Sequence, residues 1–138
     1  MWIVVHFKDG RILKGFTHDF TPTEEIFHVT SEQSSGKGTE YEINCSDLKA
    51  VFFVRTLEGN KDYTEKRRFE EVGTSTLKGL RIKATFLDGE IIRGIGLGYT
   101  KSAKGFFIIP IDSESNNERI YVITNALRDL KTGDEAER

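Results

Sequence analysis

The sequence has little cysteine, little proline and no long apolar run. With one cysteine, Cys45, in 138 residues, an intramolecular disulfide is excluded, and we expect a reducing cytoplasm. No apolar run approaches the roughly 20 residues of a membrane-spanning helix, and we expect no secretory signal because the basic region and cleavage site are missing. A net charge of -2 provides no basic field for nucleic acid or anionic membranes.

What the chain does contain is a repeat. When the sequence is shifted by 79 positions, its two halves align without a gap, and ten of the 49 aligned positions from 3–51 and 82–130 are identical. The shared features include the dipeptides Asp9-Gly10 and Asp88-Gly89, and the later glycines Gly15 and Gly94. The constant offset through strands and loops indicates an internal duplication.

Each copy has the pattern of short β-strands. Apolar residues alternate with polar ones before each Asp-Gly pair, which is typical of a strand with one buried face. Asp-Gly between two such strands predicts a tight hairpin. The glycines Gly15 and Gly94 then lie inside the second strand of each copy, where glycine often marks a bend.

Five short strands in about 50 residues need closure to bury a core. We therefore predict a mainly β protein made of two tandem five-stranded small barrels of the Sm-like or SH3-like type. The predicted boundaries are 1–54 for the first barrel, 55–79 for a polar linker with at most one short helix around 63–72, 80–131 for the second barrel, and 132–138 for a tail.

The stretch "VVHFKDGRILKG" at residues 4–15 resembles the first signature of the Sm-like family. Its members are strongly bent five-stranded barrels that usually form rings and bind RNA. Their RNA sites use the loop after the bent strand and an Arg-Gly pair between the last two strands. Here that loop carries Glu24 and Glu25, and neither 45–47 nor 124–126 contains Arg-Gly. The resemblance therefore implies the fold more strongly than RNA binding.

The segments "SDLKAVFFVRTLEGN" at 46–60 and "SNNERIYVI" at 115–123 are also similar to an uncharacterised family of bacterial proteins. Members of that family share the "DGR…KGF" opening. The resemblance spans nearly the whole chain and implies a bacterial cytoplasmic protein, but it implies no mechanism.

No residue set in the sequence predicts catalysis, a cofactor or a metal. The histidines at 6, 18 and 28 have no histidine counterparts in the second copy. Asp9 and Asp88 have the preferred turn position before glycine, and no histidine is fixed beside Cys45 by sequence. We therefore expect a protein that is not an enzyme.

Two sets of residues are candidates for binding. The run "AVFFV" at 50–54 does not alternate, so it must be covered on both faces. The candidate interface for a protein partner or self-association comprises Trp2, Val4, Phe52 and Phe53. The candidate contacts for nucleic acid or another anion are Arg11, Lys66, Arg67, Arg68, Lys101 and Lys104.

The function that these patterns favour is a non-enzymatic binding or regulatory module, with protein–protein interaction first. One alternative is Sm-like binding of RNA or another nucleic acid. A second alternative is a barrel that binds a nucleotide second messenger, since Arg67-Arg68 precedes the second copy. Against that alternative, "DSESNN" at 112–117 lacks the final glycine that such barrels use.

Overall fold

The chain forms one continuous antiparallel sheet. A computed structural model describes residues 1–31, 38–59, 62–67, 69, 79–97, 99–100, 103–112 and 114–137. The strands are β1 (Trp2–Phe7), β2 (Ile12–Phe16), β3 (Ile26–Ser31), β4 (Glu40–Asn44), β5 (Leu48–Val54), β6 (Leu80–Phe86), β7 (Ile91–Leu97), β8 (Gly105–Pro110), β9 (Asn117–Ile123) and β10 (Leu127–Thr132). Across the sheet their order is β10-β6-β7-β8-β9-β5-β1-β2-β3-β4. In the described part of the chain, no helix has the length and apolarity to cross a membrane.

The prediction of a mainly β protein is confirmed, but two closed barrels are not. Among the described strands, β10 and β4 each pair on one side only, so the sheet is open at both ends. The predicted linker helix falls partly outside the described residues; within it, residues 63–67 have no regular secondary structure.

The two halves of the sheet have the same internal order. In the first half the order is β5-β1-β2-β3-β4, and in the second it is β10-β6-β7-β8-β9. Each strand overlaps its counterpart in the other half when the sequence is shifted by 79 positions, as do the short 3₁₀ turns Cys45–Asp47 and Thr124–Ala126. The halves are thus two copies of one strand arrangement.

The seam between the halves is the pairing of β5 with β9. Val51 lies opposite Tyr121 and Phe52 opposite Ile120, while the other edge of β5 pairs with β1. This central position buries almost all of β5, which accounts for its run of apolar residues. Most of the buried apolar side chains of both halves belong to one hydrophobic core, and Phe69, Ile95, Ile111 and Ala136 form a second, smaller cluster.

Aromatic rings from both halves meet on one side of the seam. Phe20 lies with its ring centroid 5.3 Å from Phe53 and 5.2 Å from Tyr121. Phe107 lies 5.0 Å from Tyr121, and the Arg119 guanidinium lies 4.4 Å above the Phe53 ring. Such edge-on pairs each contribute about 0.5–1.5 kcal/mol beyond simple burial.

The described parts of the linker dock on the second half. The backbone amide of Arg55 donates to the carbonyl of Asn116 at 2.9 Å. Farther along, the Tyr63 hydroxyl donates to the buried Asp112 carboxylate at 2.5 Å, and the Lys66 amide donates to the same oxygen at 2.8 Å. These bonds fix the linker against the connection between β8 and β9.

The glycines inside β2 and β7 permit close approach of the neighbouring strand. A Cβ built at Gly15 would overlap the carbonyl oxygen of Thr30, and one at Gly94 would overlap that of Ile109. The equivalent contact in both halves explains why both copies keep glycine there.

We expect Gly15→Ala and Gly94→Ala each to lower the free energy of unfolding by about 1–3 kcal/mol, because β3 or β8 must move away to make room. Urea denaturation of each variant measures this loss. The control is Glu118→Ala, at an exposed position of β9, which should stay within about 0.5 kcal/mol. If the glycine variants were as stable as this control, close strand approach would not be the reason for glycine.

A buried lysine links the two halves. Lys49, on β5, donates to Asp88 Oδ2 at 2.7 Å and to Glu90 Oε1 at 2.5 Å, and its ammonium lies 4.8 Å from the centre of the Phe86 ring. Burial alone would lower the pKa of Lys49, but the two carboxylates outweigh it and raise the pKa. The Lys49 hydrogen bond, together with the Glu90 amide, lowers the pKa of Asp88. We call this group the Lys49 clasp.

We expect Lys49→Met to lower the free energy of unfolding by about 1–3 kcal/mol, because two carboxylates lose their partner at a mostly buried position. Arg11→Met removes the exposed ion pair at the equivalent turn of the first half and should cost less than about 1 kcal/mol. Thermal and urea unfolding of both variants measure the two losses. If Lys49→Met and Arg11→Met lowered the free energy of unfolding equally, the Lys49 clasp would stabilise the fold no more than an exposed ion pair does.

Candidate functional site

The most distinctive surface is a groove beside the outer edge of β4. It has a volume of about 340 Å³ and lies between β4 and the β1–β2 hairpin. Its lining comprises Phe7, Arg11, Ile12, Leu13, Tyr41, Glu42, Ile43, Asn44 and Asp47. We call it the β4 groove. Ile12 is 56% and Tyr41 43% exposed, so apolar surface remains accessible there.

The counterpart of this groove in the second half is covered in part by β5. Of the nine lining positions shifted by 79, five hold residues that pair with β5 or contact Lys49, while the counterparts of Ile12 and Leu13 line a small pocket beside Phe52. Phe86 and Glu90, the counterparts of Phe7 and Arg11, contact Lys49. The counterparts of Tyr41, Glu42 and Ile43 are Ile120, Tyr121 and Val122, which pair with Phe52, Val51 and Ala50 of β5. The β4 groove therefore has the shape of a strand-docking site.

The charges of the groove differ from those of its partly covered counterpart. Arg11 stands where the second half has Glu90. Its Nε donates to Asp9 Oδ2 at 2.7 Å, and its guanidinium lies 4.8 Å above the Phe7 ring. The backbone amide of Arg11, aided by the guanidinium, holds the pKa of Asp9 below its usual value. Asp9 and Asp88, which sequence reasoning considered together, thus belong to separate turns with separate cationic partners.

The predicted interface residues do not form one exposed patch. Phe53 is 3% exposed and lies in the core. Phe52 is half-buried, lies opposite Val4 on β1, and stacks on the His6 ring at 4.4 Å. Trp2 is 43% exposed and contacts the Phe16 ring edge-on at 5.0 Å. The seam within the chain accounts for the coverage of Phe52 and Phe53.

The basic candidate residues are dispersed. Arg11 lines the β4 groove, Lys66 and Arg67 line a small pocket beside β7, and Lys104 lines a cavity at the seam. Arg68 and Lys101 lie outside the described residues. The described members of the set therefore do not share one pocket.

Cys45 is half-buried in the 3₁₀ turn before β5. Burial, together with the nearby Glu25 carboxylate, raises the pKa of its thiol to about 11, so the thiol is neutral at neutral pH. Its Sγ lies 3.9 Å from the carbonyl oxygen of Glu24. Nucleophilic catalysis needs a thiolate, and this environment disfavours one. Within the described residues, no group of three or more metal-ligating side chains comes together.

Sequence reasoning missed the Lys49 clasp and the aromatic contact of Phe20 with the seam. The signal for the clasp was the exchange of Arg11 for Glu90 between the copies. In the structure Glu90 is bound to Lys49. For Phe20, which lies in a polar loop, the only signal was the aromatic residue at its counterpart, Tyr99.

The strand order and the docking groove define a mainly β protein built from two equivalent halves. The chain belongs to a family of unknown function, DUF6982, whose model matches residues 1–133. No curated protein and no solved structure matches the chain.

The loop between β2 and β3 is fixed at its base by an exposed Asp–His pair. Asp19 accepts hydrogen bonds from the backbone amide of His28 at 2.9 Å and contacts its Nδ1 at 2.7 Å. The Asp19 hydrogen bond raises the pKa of His28 above its ordinary 6.5. The hydrogen bonds from His28 lower the pKa of Asp19 below its ordinary 3.8.

We expect this pair to stabilise the fold most between pH 3.8 and 6.5. The His28 contribution is complete below its ordinary pKa and is lost as pH rises through the folded pKa; the Asp19 contribution is lost as pH falls through its own lowered folded pKa. NMR titration of the His28 ring should give a pKa above 6.5, which Asp19→Asn returns toward that value. An unchanged His28 titration in the variant would contradict the pairing.

Proposed function

We propose that this protein is a non-enzymatic cytoplasmic binding module that associates with further copies of itself, head to tail. In this arrangement, β10 of one copy docks in the β4 groove of the next and extends its sheet. The observation that carries the proposal is the internal precedent: the equivalent surface in the second half is covered in part by β5, and β10 is the counterpart of β5. One interaction of this kind covers both open edges of the sheet, which are otherwise exposed templates for strand pairing.

The internal precedent also predicts the register. Val51 lies opposite Tyr121, and Phe52 opposite Ile120. The shift by 79 converts these pairs into Leu130 opposite Glu42, and Lys131 opposite Tyr41, of the neighbouring copy. The outward side of β10 is accessible because Gly133–Glu137 folds back toward β6, where Glu137 accepts a hydrogen bond from Arg81 at 2.9 Å.

The proposed contact between copies is weaker than the seam within the chain. Ala50 and Phe52 of β5 correspond to Asp129 and Lys131 of β10, so β10 has charged side chains where β5 has apolar ones. The clasp residue Lys49 corresponds to Arg128, which would meet Asp9 of the neighbouring copy in competition with Arg11. We therefore expect a reversible assembly that depends on protein concentration.

We infer further that the two halves arose by duplication of one Sm-like unit in a bacterial protein. The identical strand order and the coincidence of all five strand positions at one offset support this origin. Such a duplication agrees with self-association. If two identical units pair through β5 of one and β9 of the other, the equivalent surfaces, β10 and the β4 groove, remain free at the two ends of the sheet.

The alternative functions receive less support. RNA or a nucleotide messenger needs a surface on which several basic side chains lie close together. Here Arg11, Lys66 and Lys104 line three different pockets. The β4 groove itself holds Glu42 and Asp47 against Arg11 alone. A low-salt gel shift with RNA provides the direct comparison, and the proposal expects no retarded band.

We expect sedimentation equilibrium to show an average mass that rises above 15.7 kDa as the protein concentration increases. Tyr41→Arg should weaken association about two- to fivefold, since it places a like charge opposite Lys131. Adding Lys131→Glu to Tyr41→Arg should restore association, because opposite charges then face each other.

The matched control is Ile109→Arg, at an exposed apolar position of β8, a strand paired on both sides. This control should associate as the unaltered protein does. A monomer at every concentration up to about 1 mM, where even weak contacts of a few kcal/mol become populated, would overturn the proposal. Association that Tyr41→Arg leaves unchanged would overturn the assigned edge.

A further inference from the structure

A second cavity lies at the seam itself, where loops from the two halves meet. It has a volume of about 330 Å³, at the lower end of the range for small-molecule sites. Its lining comprises Pro22, Thr23, Glu24, Glu25, Cys45 and Ser46 from the first half, and Lys104, Tyr121, Ile123 and Asn125 from the second. We call it the seam pocket; it is separate from the β4 groove.

The floor of the seam pocket contains the hydroxyl end of a largely buried tyrosine, Tyr121. Tyr121 is 5% exposed, and its ring is held between Phe20 and Phe107, at 5.2 and 5.0 Å. Gly105 leaves room for the end of this ring, since a Cβ there would come within 2.5 Å of the Tyr121 hydroxyl oxygen. Within the described part of the chain this hydroxyl makes no hydrogen bond, and it is open to the pocket, since every fully buried side-chain nitrogen or oxygen atom of the described residues has a partner.

The charged groups around the pocket have opposite signs on opposite halves. Glu24 and Glu25 contribute two carboxylates from the first half, and Lys104 contributes one ammonium from the second. All three residues are exposed, and none of their side chains forms an ion pair or hydrogen bond with another described residue. Burial is the main cause of the raised pKa values of Cys45 and Tyr121, and the Glu25 carboxylate adds to both shifts. The neutral thiol of Cys45 adds no charge.

This arrangement selects among ligand classes. Two carboxylates repel a phosphate or a dicarboxylate, while the Lys104 ammonium disfavours a bare cation. A molecule that carries both an ammonium and a carboxylate can satisfy both sides, with charge-assisted hydrogen bonds at each end. The Tyr121 hydroxyl and the Asn125 amide provide further polar contacts, and Pro22 and Ile123 provide apolar ones.

We propose that the seam pocket binds a small zwitterionic amine of the α-amino acid class. Its ammonium group lies against Glu25 and Glu24, and its carboxylate lies against Lys104. Because loops of both halves form the pocket, ligand binding stabilises the seam. The proposal does not depend on self-association, since the pocket lies within one chain.

The test uses the full chain with glycine, L-leucine and L-lysine as probes, and ethylamine and acetate as controls with one charge each. NMR titration should shift the signals of Tyr121, Ser46 and Asn125, with at least one amino acid binding about tenfold more tightly than either control, as expected for one added charge-assisted hydrogen bond. The same amino acid should slow alkylation of Cys45, the only thiol in the chain.

Two variants assign the contacts. Glu25→Gln should weaken binding about tenfold, and Tyr121→Phe should weaken it severalfold while keeping the ring in place. Glu118→Gln, the same change at an exposed position of β9, is the matched control and should have no effect. Unfolding curves show whether each variant is folded before binding is compared.

Three outcomes would overturn the proposal. One is that no probe shifts the seam signals at 10 mM, a concentration that occupies half of even a weak site with a dissociation constant of about 10 mM. Another is that ethylamine or acetate binds as tightly as the amino acids. The third is that Glu25→Gln and Glu118→Gln have the same effect on binding.

Discussion

The pairing of β5 with β9 is the contact on which the rest of the molecule depends. It joins two five-stranded units into one sheet, buries the apolar run of β5 and brings Phe53 and Phe107 into contact with Phe20. Each half has only about 50 residues, a size at which a hydrophobic core is marginal alone. Sharing a core across the seam relieves that limit, and the Lys49 clasp adds charge-assisted hydrogen bonds at its edge.

The two halves have identical residues at some equivalent positions and different residues at others. Residues that support the strand geometry, such as Gly15 and Gly94, are the same in both halves because both need close strand approach. Of the residues that line the β4 groove, Phe7 and Ile12 are identical in the second half, whereas Arg11 is replaced by Glu90. Glu90 meets Lys49, whereas its counterpart Arg11 is exposed and pairs with Asp9. Arg11 and Glu90 thus have different partners because Lys49 lies beside only one of the two turns.

Much of the local structure could be predicted from the sequence. The Asp-Gly turns, the bending glycines and all ten strands depend on residues close together in the chain, and alternation and turn chemistry report them directly. The pairing of β5 with β9 could not be predicted in this way, because it joins segments about 70 residues apart. The non-alternating run at 50–54 indicated that something covers it, but two separate barrels remained as compatible with that run as one sheet.

The candidate sites were harder to predict than the fold, because each combines side chains from distant segments. Lys49 and Asp88 are 39 residues apart, and the seam pocket joins Glu25 to Lys104. The groove beside β4 becomes recognisable only when it is compared with its partly covered counterpart. The chain thus contains the β4 groove, which is open, and an equivalent surface in the second half, which β5 partly covers.

Hydrogen exchange of the backbone amides at increasing protein concentration distinguishes strand pairing within the chain from strand pairing between copies. We expect β5 and β9 to be protected at every concentration, because their pairing lies within the chain. We expect β4 and β10 to exchange rapidly in dilute solution and to become protected together as the concentration rises. Rapid exchange of β5 in dilute solution would show that the β5–β9 pairing is not stable within one chain, and protection of β4 that does not change with concentration would rule out pairing of β4 between copies.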